Sequence, residues 1–401
     1  MKKSIECLYC GNEKNFEEMS LEHAIPQFLG GAYAPEKFKL SNVCIKCNNI
    51  LGLYVDAGYA KSWMVSMGLA ESARKYMTSY KSNGLPLRCL GRVEIDGVIK
   101  PDDYIIEYWI GPSGESIFWV RFDDLRMDTF MGGNPTDKRN KKSVAYYFPV
   151  NTTSENQIFG MRSFHQGMGK KNKVRKVLCA QVADENGVIL DPKVFGFTNS
   201  EESDTFNERL LFNAINSGDF LRLKFKLHAG FDKRFISKLG LGVGYSIFKE
   251  QMNDRLKLFQ RGIWPKQDVS EAGIRGSSTL NMLKGDEVAS LPGYPGAISI
   301  CIINDSRVWM MCVTIDEQLP FVIELCDGAA IAEGINREEG YQILLFPYLQ
   351  KCIETSFPEV IAHRHGYVLN PLLTEIDAIR DAATKFGFKL KMKIDSKAFH
   401  N

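Results

Sequence analysis

No apolar run long enough to span a bilayer, about 18 residues, occurs in the 401-residue chain, so no membrane helix is expected. Nothing apolar follows the basic start either. Met1-Lys2-Lys3 gives way to Ser4-Ile5-Glu6, which argues against a signal peptide, and a soluble cytoplasmic protein is the expectation. The net charge is only +2, too small to announce a nucleic-acid partner, so any phosphate-binding surface has to come from local segregation of charge. There is no internal repeat and no disulfide framework. Cys89, Cys179, Cys301, Cys312, Cys326 and Cys352 are scattered mostly through apolar stretches and read as buried reduced thiols. The glycines of Leu239-Gly240-Leu241-Gly242-Val243-Gly244-Tyr245 lack the spacing of a dinucleotide or Walker loop, and no Lys-Ser or Lys-Thr follows. Gly240 and Gly244 are instead read as points where another helix comes close. His363 and His365, without an acid or cysteine nearby, are read as surface or hydrogen-bonded residues, and His165 has no better claim to a catalytic role.

What is present is a globular composition, 44 % hydrophobic and 24 % charged, long enough for two or three domains with cores of their own. Helical spacing predicts two helices within residues 51–77, 204–216 and a longer helical region over 231–261. Further helices are expected over 338–355 and 371–386. Alternation of period two predicts strands over 87–95, 104–110, 117–122, 143–150, 174–183 and 188–197, then 297–303, 308–315 and 321–325. The stretch 264–296, rich in Gly, Pro and Ser, reads as a linker or long loop. These elements give an α+β chain with residues 1–80, 81–200 and 201–401 as successive domains. Charge segregates between Met131 and Lys176, where ten cations face only Asp137 and Glu155. Lys138, Arg139, Lys141, Lys142, Lys170, Lys171, Lys173, Arg175 and Lys176 are the candidate phosphate-tracking residues. Tyr146, Tyr147, Phe159 and Phe164 lie among them, available either to stack on bases or to fill a core.

The most informative stretch is the first 56 residues. Cys7 and Cys10 form one Cys-x-x-Cys knuckle, and Cys44 and Cys47 form a second. Two such knuckles present four sulfurs at about 2.3 Å from one Zn²⁺, closing a tetrahedral site with no position left for chemistry. Such a zinc is structural, contributing roughly 10–16 kcal/mol of apparent binding energy to a segment too small for its own core. Between the knuckles lie Leu21-Glu22-His23-Ala24-Ile25-Pro26, Gly30-Gly31 and Asn42, and Asn48-Asn49 follow the last thiol.

With these residues the segment resembles the HNH, or His-Me finger, nucleases, whose ββα-metal unit often carries a zinc knuckle. The match covers residues 7 to about 56, with Glu22-His23, Asn42 and Asn48 at the motif positions. The resemblance implies His23 as general base, Glu22 and Asn48 as ligands of a catalytic Mg²⁺ or Mn²⁺ distinct from the zinc, and Asn42 as the residue fixing the His-bearing loop. Those residue types suit the roles. Imidazole titrates near neutrality, and carboxylate and carboxamide oxygens suit a hard cation. Asn48 in place of a third His, and Glu22 where Asp or His is frequent, leave the metal preference open. Asp56, about two turns after Asn48, either approaches the metal or caps the following helix.

The expected function is metal-dependent hydrolysis of DNA phosphodiesters, with defence against foreign DNA or phage as an implied setting. A homodimer or higher oligomer would supply two fingers for two strands. Two alternatives stand beside it. One is a non-catalytic zinc-ribbon module that binds nucleic acid or protein; the other is a sensor-effector nuclease whose C-terminal half answers an activating ligand or partner protein.

Overall fold

The computed structural model describes residues 4–77, 84–136, 143–150, 154–169, 174–182, 186, 188–217, 221–227, 231–252, 254–264 and 291–398. It is an α+β fold. Contacts divide it into two compact units, and not by chain order: residues 1–60, 71–76 and 228–380 form the first, and 61–70, 77–227 and 381–401 the second. Among the described residues no helix is long and apolar enough to cross a membrane.

The first unit begins with two small antiparallel hairpins. Strands β1 (Ser4–Glu6) and β2 (Glu13–Asn15) make one, and β3 (Met19–His23) and β4 (Lys39–Cys44) the other. Helix α1 (Ile45–Leu51) follows β4 directly, giving a ββα unit, and a π-helical turn (Gly52–Asp56) leads into α2 (Ala57–Ala60). Pairing of β3 with β4 skips a step: Ser20 faces Val43 and Glu22 faces Leu40, so Leu21 stands opposite both Ser41 and Asn42. The extra residue on β4 is a bulge, which breaks the ladder locally and turns backbone groups outward. The Asn42 carbonyl freed there accepts the Leu8 N–H at 2.9 Å.

The loop between β3 and β4 needs its glycine pair. Gly30 has φ of +97°, and a Cβ on Gly31 would sit 1.6 Å from the Ile25 carbonyl oxygen.

The second unit holds a six-stranded sheet in the order β10-β5-β6-β7-β8-β9, built from β5 (Arg88–Val93), β6 (Tyr104–Ile110), β7 (Ser116–Phe122), β8 (Val144–Phe148), β9 (Arg175–Leu178) and β10 (Leu223–Lys224). Among the described strands β8 and β9 alone pair in parallel. A parallel pair requires a crossover, and a helix over Ser154–Met168, absent from the sequence reading, supplies it. Helix Trp63–Arg74 is numbered α3, the crossover α4, and Glu202–Asn216 α5. Both faces of the sheet are covered. Tyr146 lies in the core on one side, and Tyr147 and Phe164 in that on the other. These aromatics, and buried Phe159, therefore fill cores and are not available to stack on bases. Residues 188–197 do not form the predicted strand, since Pro192 opens a short 3-10 turn (Pro192–Phe195) after the Asp191 cap.

In its second part the first unit contains α6 (Phe231–Phe248) and α7 (Asp254–Gly262). A five-stranded antiparallel sheet follows, ordered β13-β12-β11-β14-β15, from β11 (Ile298–Asn304), β12 (Val308–Ile315), β13 (Gln318–Asp327), β14 (Tyr341–Phe346) and β15 (Lys351–Thr355). Helices α8 (Phe357–Arg364) and α9 (Pro371–Ala398) close the fold. The helix expected over 338–355 is instead the β14–β15 hairpin. All six residues of β14 are buried, with Leu344 and Phe346 packed against α8 and α9 and Leu345 close to Gly30, and a strand covered on both faces has no period of two to betray it. His363 lies in α8, with Nε2 3.0 Å from Asp377 and Nδ1 accepting the Asn370 N–H, a fully satisfied structural histidine.

Helix α6 is the layer between the N-terminal finger and this sheet. Its glycines lie where neighbours come closest: Cβ atoms built there would sit 3.1 Å from Ala24 at Gly242, 3.3 Å from Ile323 at Gly240, and 2.7 Å from Met252 at Gly244. Gly240 and Gly244 are packing positions as expected, but what comes close is mainly strand β13 and Met252, with helix α7 reaching only Gly240 through Phe259. On the finger side Phe235 stacks on Tyr59 at 3.9 Å, and Phe28 completes the aromatic cluster. Against the sheet, Phe38 stacks on Tyr341 and Lys37 lies 4.0 Å above the same ring.

Because the clash at Gly31 is with backbone and not with a flexible side chain, Gly31→Ala should cost at least about 2 kcal/mol, read as a lower denaturation midpoint. An unshifted midpoint would show that the 26–31 loop can open without loss.

Candidate metal centre and functional site

Cys7, Cys10, Cys44 and Cys47 come together with all four sulfurs within 4.8 Å of one another. The first knuckle is the β1–β2 loop, held by Cys7 N–H to Asn12 O at 3.0 Å and Gly11 N–H to Cys7 O at 2.8 Å. The second straddles the start of α1, where Cys44 is the N-cap residue and Cys47 stands in the first turn. The Cys44 amide points at the Cys7 sulfur at 3.3 Å. Such amide donors are the usual outer support of a thiolate site. A hydrogen bond from Cys47 is the chief influence holding the Cys7 thiol down, to about 4 against the opposing pull of burial, and Cys47 is pushed up in return. Three of the four cysteines are buried and Cys10 is half-buried. Four converging thiols, three of them buried and one readily ionised, fit a closed structural zinc.

The knuckle also places Tyr9. Fully buried between the two thiols, it donates its hydroxyl to Glu22 Oε1 at 3.0 Å. The same oxygen accepts from Lys238 Nζ of α6 at 2.7 Å, and Lys238 makes a second ion pair at 2.6 Å with Asp56 Oδ2. Burial alone would lower the Lys238 pKa, but Asp56 and Glu22 outweigh it and hold the ammonium above its ordinary value. Asp56 has to share that cation with Glu22. Burial therefore wins over attraction, and its carboxyl is pushed up to about 6. The tyrosine, raised by burial and by both carboxylates, stays a neutral donor. Asp56 is thus not a helix cap. Its Oδ2 serves Lys238, while its Oδ1 is sealed from solvent without a hydrogen-bond partner.

His23 ends β3, half-buried, and no described residue makes a hydrogen bond to its imidazole. Strand alternation sends it to the face opposite Glu22, and no hydrogen bond links it to Glu22 or Asn48. Asn48, in α1, donates through Nδ2 to Ser20 Oγ at 3.1 Å and to Leu21 O at 3.3 Å, tying α1 to β3. Its Oδ1 accepts no hydrogen bond from the described residues. Asn42 supports the first knuckle through its carbonyl, and its side chain bonds the Tyr245 hydroxyl of α6.

Residues 7–64 match the family model of the HNH endonucleases. This HNH segment carries the four-cysteine cluster, the ββα unit and Glu22-His23 together, and it supports a nuclease function in general terms. Comparison with curated proteins and with solved structures gives no match.

Of the basic residues, Lys138, Arg139, Lys141, Lys142, Lys170, Lys171 and Lys173 lie outside the described residues. Arg175 is committed to the fully buried Asp204, with Nη2 at 2.7 Å from Oδ1, and Lys176 sits 3.3 Å from His165 Nδ1. The sequence reading missed Tyr9, Lys238 and Tyr245 as parts of the HNH segment's surroundings. For Lys238 one signal existed: it is the only charged residue in Phe235–Tyr245, an otherwise apolar and glycine-rich run.

For Cys44→Ala we expect loss of the zinc, and protease cuts within the first 60 residues that the parent resists. Unchanged metal content in the purified variant would contradict the four-sulfur site.

Proposed function

We propose that this chain is a metal-dependent endonuclease that hydrolyses DNA phosphodiester bonds with His23 as general base. The observation that carries the reading is the four-thiol clamp on a ββα unit whose half-buried histidine is left without a partner among the described residues. An imidazole so placed accepts a proton from water near neutral pH. Glu22 and Asn48 are the proposed holders of a Mg²⁺ or Mn²⁺ ion. The unpartnered Oδ1 of Asn48 and the sealed, unpartnered Oδ1 of Asp56 are the oxygen chemistry such an ion prefers. When bound, the ion supplies charge neutralisation at the scissile phosphate and the departing oxygen. Asn42 is the proposed residue fixing the His-bearing loop, and its carbonyl also holds the Leu8 amide of the first knuckle.

Substrate grip is proposed for Lys138, Arg139, Lys141, Lys142, Lys170, Lys171 and Lys173, because clustered cations gain affinity by releasing condensed counterions. Arg175 and Lys176, engaged as described, contribute less. One finger cuts one strand, so a double-strand break calls for two copies. Defence against foreign DNA is the setting we propose.

A second reading, a zinc-stapled binding module, is favoured by the commitment of Glu22 to Lys238. Nicking of supercoiled DNA that requires Mg²⁺ or Mn²⁺ and stops with chelator separates the two.

His23→Ala should retain zinc and lose roughly 10² to 10⁴ in nicking rate. Undiminished nicking by that variant would reject His23 as the base. Neutralising Lys138, Arg139, Lys141 and Lys142 together should flatten the dependence of DNA affinity on salt by about three to four units of log–log slope. An unchanged slope would remove this cluster from the DNA path.

A further inference from the structure

The group around Lys238 is unbalanced. Two carboxylates, Glu22 and Asp56, share one ammonium, and the phenol of Tyr9 brings no charge. Glu22 Oε1 takes two donors and Asp56 Oδ2 one, yet Asp56 Oδ1 takes none although no water reaches it. Leaving a buried carboxylate oxygen bare is costly, and net negative charge in a dry place attracts whatever cation can enter. An ammonium offers one charge and three donors. A divalent ion offers two charges, and its coordination shell is filled by carboxylate oxygens. The position of Lys238 Nζ, 2.7 Å from one carboxylate and 2.6 Å from the other, is where an ion bridging them would be neutralised best.

We propose that Lys238 is a tethered cation holding Glu22 and Asp56 in place of a divalent ion, so that an ion binds there only when the ammonium gives way. This rests on the reading of Glu22 as a cation ligand, and it adds Asp56 as a ligand of the same ion. The lysine is delivered by α6, a helix fitted between the finger and the sheet through its glycines. Whatever shifts α6 along the finger thereby changes the affinity of the site for metal, since the two cations compete for the same oxygens. In the geometry described here the lysine is the partner of both Glu22 and Asp56.

Mn²⁺ binding to the full-length zinc-loaded protein, followed by calorimetry and by the change of melting temperature with added Mn²⁺, tests this directly. Lys238→Met keeps an unbranched side chain, shorter only by the Nζ position, and removes its charge. It should bind Mn²⁺ at least ten-fold more tightly than the parent and gain more melting temperature from it, and adding Asp56→Asn should reverse much of that gain. Equal affinity in Lys238→Met and parent would overturn the proposal. If Lys238→Met alone fails to retain zinc, the comparison is made between Asp56→Asn and Asp56→Asn/Lys238→Met, where one excess carboxylate has been removed. Tighter Mn²⁺ binding in the double variant supports competition for Glu22, and equal binding refutes it. The nuclease reading is judged separately. Nicking that survives His23→Ala sinks that reading whatever the Mn²⁺ affinities are. Nicking that needs His23, beside unchanged affinity in Lys238→Met, removes only the tethered cation.

Discussion

Two hairpins with strands of three to six residues cannot hold themselves together in water, and everything between Cys7 and Asn48 depends on the meeting of four sulfurs. The dependence is concrete at Tyr9, which stands inside the first knuckle and reaches across to Glu22. It recurs at the β4 bulge, where the Asn42 carbonyl takes the Leu8 amide. The cysteines thus determine more than the fold of a small segment. They decide where its one buried carboxylate points.

The second dependence runs through α6. Glycines at 240, 242 and 244 let the helix lie against Ala24, Ile323 and Met252 with almost no space to spare. Larger side chains would hold it away by the width of a methyl group or more, and an ammonium 2.6–2.7 Å from two carboxylates would be out of reach. Packing and electrostatics are therefore one problem here. A buried ion pair recovers its desolvation cost only with close geometry, and close geometry is what the small residues permit.

The zinc ligands were legible in the sequence because two Cys-x-x-Cys pairs admit few other readings, and the ββα unit came with the family pattern. Gly240 and Gly244 could be read as packing residues because they failed every test for a phosphate loop. The β14–β15 hairpin could not be read, because a strand buried on both faces looks like a buried helix until its neighbours are known. The crossover helix Ser154–Met168 was hidden for a related reason: its need arises from the parallel pairing of β8 and β9, which no local pattern announces. Lys238 stood out as a lone charge in an apolar run, but its partner could not be read. Its meaning lies in Glu22, 216 residues earlier, and a sequence carries no mark of that distance.

That separation has a bearing on how the protein comes into being. A chain made at about 5–20 residues per second exposes Glu22 roughly 10–40 s before the lysine that will neutralise it has been added. Through that interval Glu22 has the Tyr9 hydroxyl within its own segment but not yet the ammonium of Lys238. The lysine that completes the buried ion-pair group is therefore the last of its members to be made.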